Sequence, residues 1–593
     1  MTILNKDKNP KPFKNPKVFI LAVCISVALA QAQSADKIEP ADLILFNGTV
    51  ATLNESFSIE QAIAIRNHQI VAVGENAKAL SHKGADSHLI DLKGRFLMPG
   101  FIEGHGHYMS LGQSKQILNL NEAKSWDEII SKVAIAVDRS DEGQWIKGRG
   151  WHQEKWISGD ENLVDGVPTN RRLNEIAPDN PVILEHASGH AAMANHQALI
   201  ISGIDEETPN PRGGKIVRDK NGIATGLLRE SAQNLTASAL ASSRSDLTEE
   251  DVFNQMSEQV ELAAEEALRH GITSFQDAGS NFATIDFYKK LEQKKDLPIR
   301  LYVMIQGEDN EKLKSNLKKY YSPYQDNDFL TVRSIKVQLD GALGSHGAWL
   351  LQPYTDLPES SGLVLKPLSI VKETAALALK HGFQLNTHAI GDRANREILN
   401  LYDDAVEGQE QSLRTLRWRV EHAQHIHPRD VPRFGKLGVI AAVQGIHCTS
   451  DGPWIATRLG EKRTRTTSYP WRDLIDSGAT VANGTDVPVE SINPIASFYS
   501  SVSRTMNNSE RFHPSQAMNR VEALKSYTIN NAIAAFEEAH KGSIEVGKLA
   551  DLVVLSKNLL EVPDDQILST QVDLTILGGE IKYQRTGSIG VGH

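Results

Sequence analysis

The chain has 593 residues, 40% of them hydrophobic and 23% charged, with a formal net charge of −11 and a mean hydropathy of −0.33. It is too long for one simple core and too ordinary for a disordered or membrane-embedded chain, which predicts a large domain with an accessory one. An acidic chain of this kind, with no stable membrane insertion expected of its mature form, is a poor candidate for nucleic-acid binding.

The first thirty-odd residues depart from that composition. Lys6, Lys8, Lys11, Lys14 and Lys17 precede an apolar run from Val18 to Ala30, which ends in Ala30-Gln31-Ala32. A basic stretch, a short apolar core and an A-x-A site read as a secretory signal over residues 1–32, with the mature protein periplasmic or secreted. The competing reading is an uncleaved anchor, for which the run is short. Removing residues 1–32 takes away five lysines and Asp7 and brings the net charge to about −15. Cys448 is then the one remaining cysteine, so no intramolecular disulfide forms.

Short strands are expected over 41–50, in a hairpin over 61–73 and over 88–92, and again near the other end over 547–555 and 572–581. They predict one small β-sandwich built from both termini, residues 33–97 and 536–593. Between them, over 98–535, apolar strands recur, each followed by helix-compatible sequence. They cover 97–107, 272–277, 299–305, 334–340, 383–388, 418–422, 439–444 and 480–486. Eight such units predict an α/β fold, a (β/α)8 TIM barrel. The stretch 108–271 between the first two strands is far too long for a loop and predicts an inserted subdomain.

The chemistry gathers where a barrel keeps it, at the C-terminal strand ends. The run from Pro99 to His107, PGFIEGHGH, closes in His-x-His, and alternation along a strand projects His105 and His107 to the same side. Lys336, His388, His422 and Asp486 stand on later strands. Each has a structural alternative, as a hydrogen-bonded core histidine, a capping aspartate or a lysine paired with Asp340. Together, four imidazoles, one carboxylate and one lysine on one rim read as a metal constellation.

These segments resemble the signatures of the amidohydrolase superfamily: PGFIEGHGH, the Lys336 strand, LNTHAIGD around His388, RVEHAQ around His422 and NGTDVPV around Asp486. Further runs, GRGWHQEKW from Gly148, SGHAAMANHQAL from Ser188 and KVQLDGALGS from Lys336, resemble its YtcJ-like branch (amidohydrolase family 3), which includes N-substituted formamide deformylases. The resemblance implies a TIM barrel with divalent metal, zinc foremost. In that scheme His105, His107 and Asp486 hold the more buried ion and His388 and His422 the more exposed one. Lys336, carboxylated by carbon dioxide, would bridge them, since an ammonium has no lone pair to give. Lys336, His422 and Asp486 are the residues expected to carry catalysis. The implied reaction is attack by metal-bound hydroxide on an amide-type carbonyl, N-acyl or N-formyl, with Asp486 passing the proton to the departing nitrogen.

Around this centre, Trp151, Trp156 and His190 of the insertion are expected to cap the substrate pocket. Asp340 and His346 follow Lys336, and His447 and Asp451 follow the seventh strand, all in reach of substrate. His425 and His427, beside Pro428, are expected to face solvent. Two other readings stay open: a mononuclear deaminase-type or cyclic amide hydrolase with unmodified Lys336, and a non-catalytic metal-binding periplasmic protein. A homo-oligomer is compatible with the sequence.

Overall fold

The computed structural model describes residues 39–157, 163–243, 248–325 and 328–589. The expected signal segment lies outside them. Among the described residues no helix is long and apolar enough to cross a membrane.

The centre is a parallel barrel of eight strands: β1 (Phe101–Gly106), β2 (Ile272–Ser280), β3 (Arg300–Ile305), β4 (Leu330–Gln338), β5 (Gln384–Ala389), β6 (Arg419–His422), β7 (Ile440–Gln444) and β8 (Val481–Gly484). Each strand pairs in parallel with the next. Helices cover the outside, so strands such as β1, β3 and β5 are buried along their whole length and read as continuous rather than alternating apolar runs.

The cylinder closes between β8 and β1 largely through a side chain. Glu103 Oε1 accepts from Thr485 N at 2.6 Å and Oε2 from Thr485 Oγ1 at 3.0 Å. One step further along, Asp486 N donates to His105 O at 2.7 Å. Gly104 permits the approach: a Cβ there would sit 2.4 Å from Asn483 O. This seam sets the backbone of Asp486 against that of His105.

Strands from both ends of the chain form a sandwich under the barrel. A four-stranded sheet runs in the order 69–74, 62–66, 41–46, 83–91, and a six-stranded sheet in the order 580–584, 572–577, 552–555, 96–99, 49–51, 59–60. Leu43, Leu45, Ile63 and Ile65 of the first share a core with Leu97, Val554, Leu574 and Ile576 of the second. A buried ion pair, Arg300 Nε to Asp551 Oδ2 at 2.8 Å, ties this sandwich to the barrel.

The chain between β1 and β2 adds a six-stranded sheet made from segments between Leu118 and Glu230. It has its own core around Trp126, Ile129, Val133, Leu184 and Met193. The helices at either end, Tyr108–Ser114 and Glu249–Arg269, belong to the barrel's outer layer. They touch one another there, with Tyr108 Oη donating to Val260 O at 2.9 Å.

Candidate active site

A cavity of about 1400 Å³ opens at the C-terminal end of the barrel, walled on one side by strand ends and on the other by the insertion. That is roomy for a small-molecule site, where about 300–1,000 Å³ is usual. Lys336, His388, His422 and Asp486 line its floor. Two ion pairs fasten the insertion over it, Lys155 to Glu490 at 3.2 Å and Glu154 to Arg458 at 3.4 Å.

Asp486 is the point on which the floor converges. Its Oδ1 lies 3.1 Å from His107 Nε2 and 3.7 Å from His105 Nε2, and its Oδ2 lies 4.0 Å from His422 Nδ1. One ligand-capable atom each from His105, His107 and Asp486 lies within 4.8 Å of the others, and the same holds for His422, His447 and Asp486. His388 belongs to neither triplet; its ring stands 4.4 Å from that of His422, and its Nε2 lies 3.5 Å from Asp340 Oδ1. His422 and Asp486 adopt left-handed backbone angles, φ +74° and +60°, the kind of local cost that persists at sites fixed by their surroundings.

Several ring nitrogens are anchored from behind. His105 Nδ1 contacts Glu421, and His422 Nδ1 lies 2.9 Å from Gln444 Oε1. Such partners fix the tautomer, and at His105 the other nitrogen, Nε2, is the one that faces Asp486. Glu421 is in turn held by Arg419, with Nε 2.6 Å from Oε1 and Nη2 3.0 Å from Oε2, both residues fully buried. Burial opposes the Glu421 charge, but Arg419 and His105 hold its carboxyl down at about 2. Neither Glu421 nor Gln444 was singled out by the sequence pattern. The only available signal was that Glu421 directly precedes His422.

The electrostatics favour neutral imidazoles and an ionised carboxylate. Burial and the Lys336 charge pull His105 down to about 4. Burial, His388 and His105 lower His422 well below its ordinary range. Burial opposes ionisation of Asp486, yet the His107 hydrogen bond and the neighbouring imidazoles keep it well below the usual carboxylate range. Burial also lowers Lys336, against the opposite pull of Glu421 and Asp486. Lys336 Nζ sits 3.5 Å from His105 Nε2. No carboxylate pairs with it among the described residues: Asp340 instead accepts from the backbone N–H groups of Trp349, Ile390 and Gly391 at 2.8–3.0 Å.

These residues fit a divalent cation. His388 Nε2, His447 Nε2 and Asp486 Oδ1 are buried without an aligned hydrogen bond, a costly state for polar atoms that a metal relieves. The imidazole–carboxylate donor set suits zinc-like ions.

Of the remaining candidates, Trp151, His190, His346, His447 and Asp451 line the cavity, whereas Asp340 and Trp156 do not: Asp340 is fully buried under backbone N–H groups and Trp156 packs into the insertion core. His190 Nδ1 lies 2.9 Å from Glu230 Oε2, with its ring 6.3 Å from that of His388. Trp151 contributes to the wall but is 1% exposed, its indole N–H donating to Leu184 O at 2.8 Å. Trp156 packs beside Trp126 and Trp151 in the insertion core. His346 lies at the rim, 3.2 Å from Asp356 Oδ2. Asp451 accepts from Tyr469 Oη at 2.8 Å. The expectation for His425 fails: it is 1% exposed and bound through Nδ1 to Ser468 Oγ at 3.0 Å. The turn after β6 folds inward there, with His425 N donating to Ile390 O at 3.0 Å; a polar residue beside a proline says nothing about that long-range pairing.

Comparison with known proteins agrees with this architecture. A sequence profile of the amidohydrolase family matches residues 88–583. The chain is 34% identical to Protein LONG AFTER FAR-RED 3 of Arabidopsis thaliana over 92% of both chains. It is 28% identical to the N-substituted formamide deformylase of Arthrobacter pascens, over 92% of this chain and 99% of that one. A crystal structure of an uncharacterized metal-dependent hydrolase from Pyrococcus horikoshii OT3 superposes with a TM-score of 0.70 at 26% identity, covering 88% of this chain and 99% of that one. With a strand-end cluster suited to a divalent cation, a barrel to present it and a family match spanning both, the chain belongs to the amidohydrolase family, hydrolases acting on carbon–nitrogen bonds.

Proposed function

We propose that the protein hydrolyses the carbon–nitrogen bond of N-acyl amines other than peptides, N-formyl amines foremost, with two divalent metal ions, zinc by preference. The observation that carries the reading is the convergence of His105, His107 and His422 on the two oxygens of one buried carboxylate, Asp486, beside Lys336, which meets His105 and pairs with no carboxylate among the described residues. His105, His107 and Asp486 would hold one ion, and His388 and His422 the other. A lysine whose ammonium is disfavoured by burial is suited to accept carbon dioxide, and the resulting carbamate would offer an oxygen to each side. Bound metal polarises a carbonyl and lowers the pKa of water.

The chain's own groups supply the rest. Asp486 takes the proton of the attacking water at a carboxylate oxygen and gives it to the departing nitrogen, which leaves as an amine rather than an amide anion. Glu421 and Gln444 hold His105 and His422 in the tautomers that ligation needs. Trp151, His190, His346, His447 and Asp451 surround the space left for the substrate, while Asp340 holds the backbone behind it. A large cavity suits a small acyl group on a bulky amine, and the deformylase likeness supports the formyl choice.

Metal-loaded protein assayed for amine release from N-formyl, N-acetyl, carbamate and cyclic amide substrates tests this. Turnover of the N-acyl amines with two metals per chain is expected. No release from any of them by fully loaded protein would overturn the substrate class, and a single metal per chain would overturn the bridged pair. We further propose export through residues 1–32, so that intact mass of protein from its native host begins near Gln33; a start at Met1 in the membrane fraction would refute it.

A further inference from the structure

The insertion brings an imidazole–carboxylate pair to the cavity wall. His190 stands just before the strand Ala191–Ala194, and Glu230 ends the strand Ala224–Glu230, its antiparallel neighbour. His190 Nδ1 lies 2.9 Å from Glu230 Oε2, and Glu230 N donates to His190 O at 2.9 Å, so side chain and backbone both join them. His190 N donates to Ser188 Oγ at 3.2 Å, and Gln233 Nε2 donates to Gly189 O at 3.1 Å and to Glu230 O at 3.3 Å. The loop after β4 leaves room for the carboxylate: a Cβ at Gly341 or Gly347 would sit 3.3 or 3.2 Å from Glu230 Oε1. The two side chains are 12% and 11% exposed.

An ionised carboxylate only accepts, so Glu230 fixes a proton on Nδ1. Nε2 has no partner among the described residues, and the ring lines the cavity with its centre 6.3 Å from that of His388. Burial opposes a positive ring, but the hydrogen bond and charge of Glu230, with Asp486 and Asp340 beyond it, raise its hold on a second proton above that of an ordinary imidazole. That proton sits on Nε2 and makes it a donor.

We propose that His190 is a catalytic residue supplied by the insertion, its Nε2–H donating a hydrogen bond to the acyl oxygen of the substrate from the wall that faces the strand ends. Charge gathers on that oxygen when water adds to the carbonyl, so a donor fixed in advance stabilises the transition state more than the bound substrate. Glu230 acts through His190 and is the positioning residue. The proposal rests on the reading of the reaction as attack on an amide-type carbonyl.

Two readouts test it. In metal-loaded protein, His190→Ala is expected to lower kcat for an N-formyl amine about 10²–10³-fold, the usual cost of one such donor, with KM little changed and metal content unaltered. His190→Gln, whose amide can still donate, should recover part of the loss, and Glu230→Gln, which keeps an acceptor, should lose less than Glu230→Ala. In chelator-treated full-length protein, infrared difference spectra of the same amine with an isotope-labelled carbonyl should show the stretch lowered on binding. That lowering should be lost in His190→Ala and in Glu230→Ala. A carbonyl frequency in His190→Ala equal to that in wild type would overturn the proposal, whatever the rates. So would wild-type kcat in His190→Ala, which would leave the contact without a part in catalysis. If the wild type releases no amine from any N-acyl substrate, the reading of the reaction fails by itself, and a carbonyl shift that disappears with His190 still upholds the donor.

Discussion

Replacing Glu421 by glutamine separates two jobs that one carboxylate performs. Oε1 faces Arg419 Nε at 2.6 Å, while Oε2 meets both His105 Nδ1 and Arg419 Nη2, the latter at 3.0 Å. An amide has one accepting oxygen, so Glu421→Gln turns an NH2 group either toward Arg419 Nε, if its oxygen stays with His105 and Arg419 Nη2, or toward His105 Nδ1, if its oxygen goes to Arg419 Nε. It also leaves a fully buried guanidinium without its counter-charge, although Gly104 O and Gln276 Oε1 still accept from it. Breaking a buried pair by removing one partner costs about 3–5 kcal/mol; the remaining acceptors put the expectation at about 3. If the introduced oxygen goes to Arg419, His105 loses the partner that fixes its tautomer, and metal affinity should fall about 10–100-fold. Urea unfolding of metal-free protein reads the first quantity and chelator competition reads the second. Adding Arg419→Met removes the uncompensated charge and frees the amide oxygen for His105, so the double variant should recover much of both losses. Metal affinity within threefold of wild type in Glu421→Gln, or a stability loss under about 1 kcal/mol, would refute the reasoning.

Lys336→Ala should abolish turnover and lower metal content, with partial rescue by short carboxylic acids; retention of two metals and near-native turnover would exclude a bridging role. Asp486→Asn should keep most of its metal, because an amide oxygen still faces the cations, yet lose about 10²–10⁴-fold in kcat. Full recovery of rate on adding zinc would make Asp486 a ligand without a proton-transfer role. Burial pulls His425 down to about 3, so below pH 6.5 protons bind the unfolded chain preferentially. The stability its neutral form contributes is intact above pH 6.5 and is lost as pH falls toward 3. This one group should cost about 3 kcal/mol at pH 4 relative to pH 7. His425→Gln should flatten that part of the urea-stability profile, and parallel wild-type and variant curves would count against it.

What could be read along the chain was whatever is local. The spacing of His105 and His107 needs only strand alternation, and Asp486 and His422 each end an apolar run that reads as a strand. The strand–helix alternation that predicts the barrel is local too, and the family match and the eight parallel strands in sequence order agree with it. The supporting groups are different. Glu421 reaches His105 across the barrel from a residue 316 positions away, and Gln444 reaches His422 from the neighbouring strand. No periodicity encodes such a pairing. The burial of His425 was misread for the same reason, since its partners Ser468 and Ile390 are brought in by the turn and not by sequence neighbours.

The sandwich under the barrel has a consequence for the order in which the molecule can be assembled during synthesis. Strand 96–99, which runs almost directly into β1 and its two histidines, is paired on one side by 49–51 and on the other by 552–555. The second partner is about 450 residues further along the chain, a long loop to close before the contact is rewarded. While the ribosome is still making the middle of the protein, the edge of 96–99 is bare, and the floor carrying the strand of His105 is half built. A nascent chain that met metal early would therefore find histidines on an unanchored strand. Completion of the floor waits on the final tenth of the polypeptide.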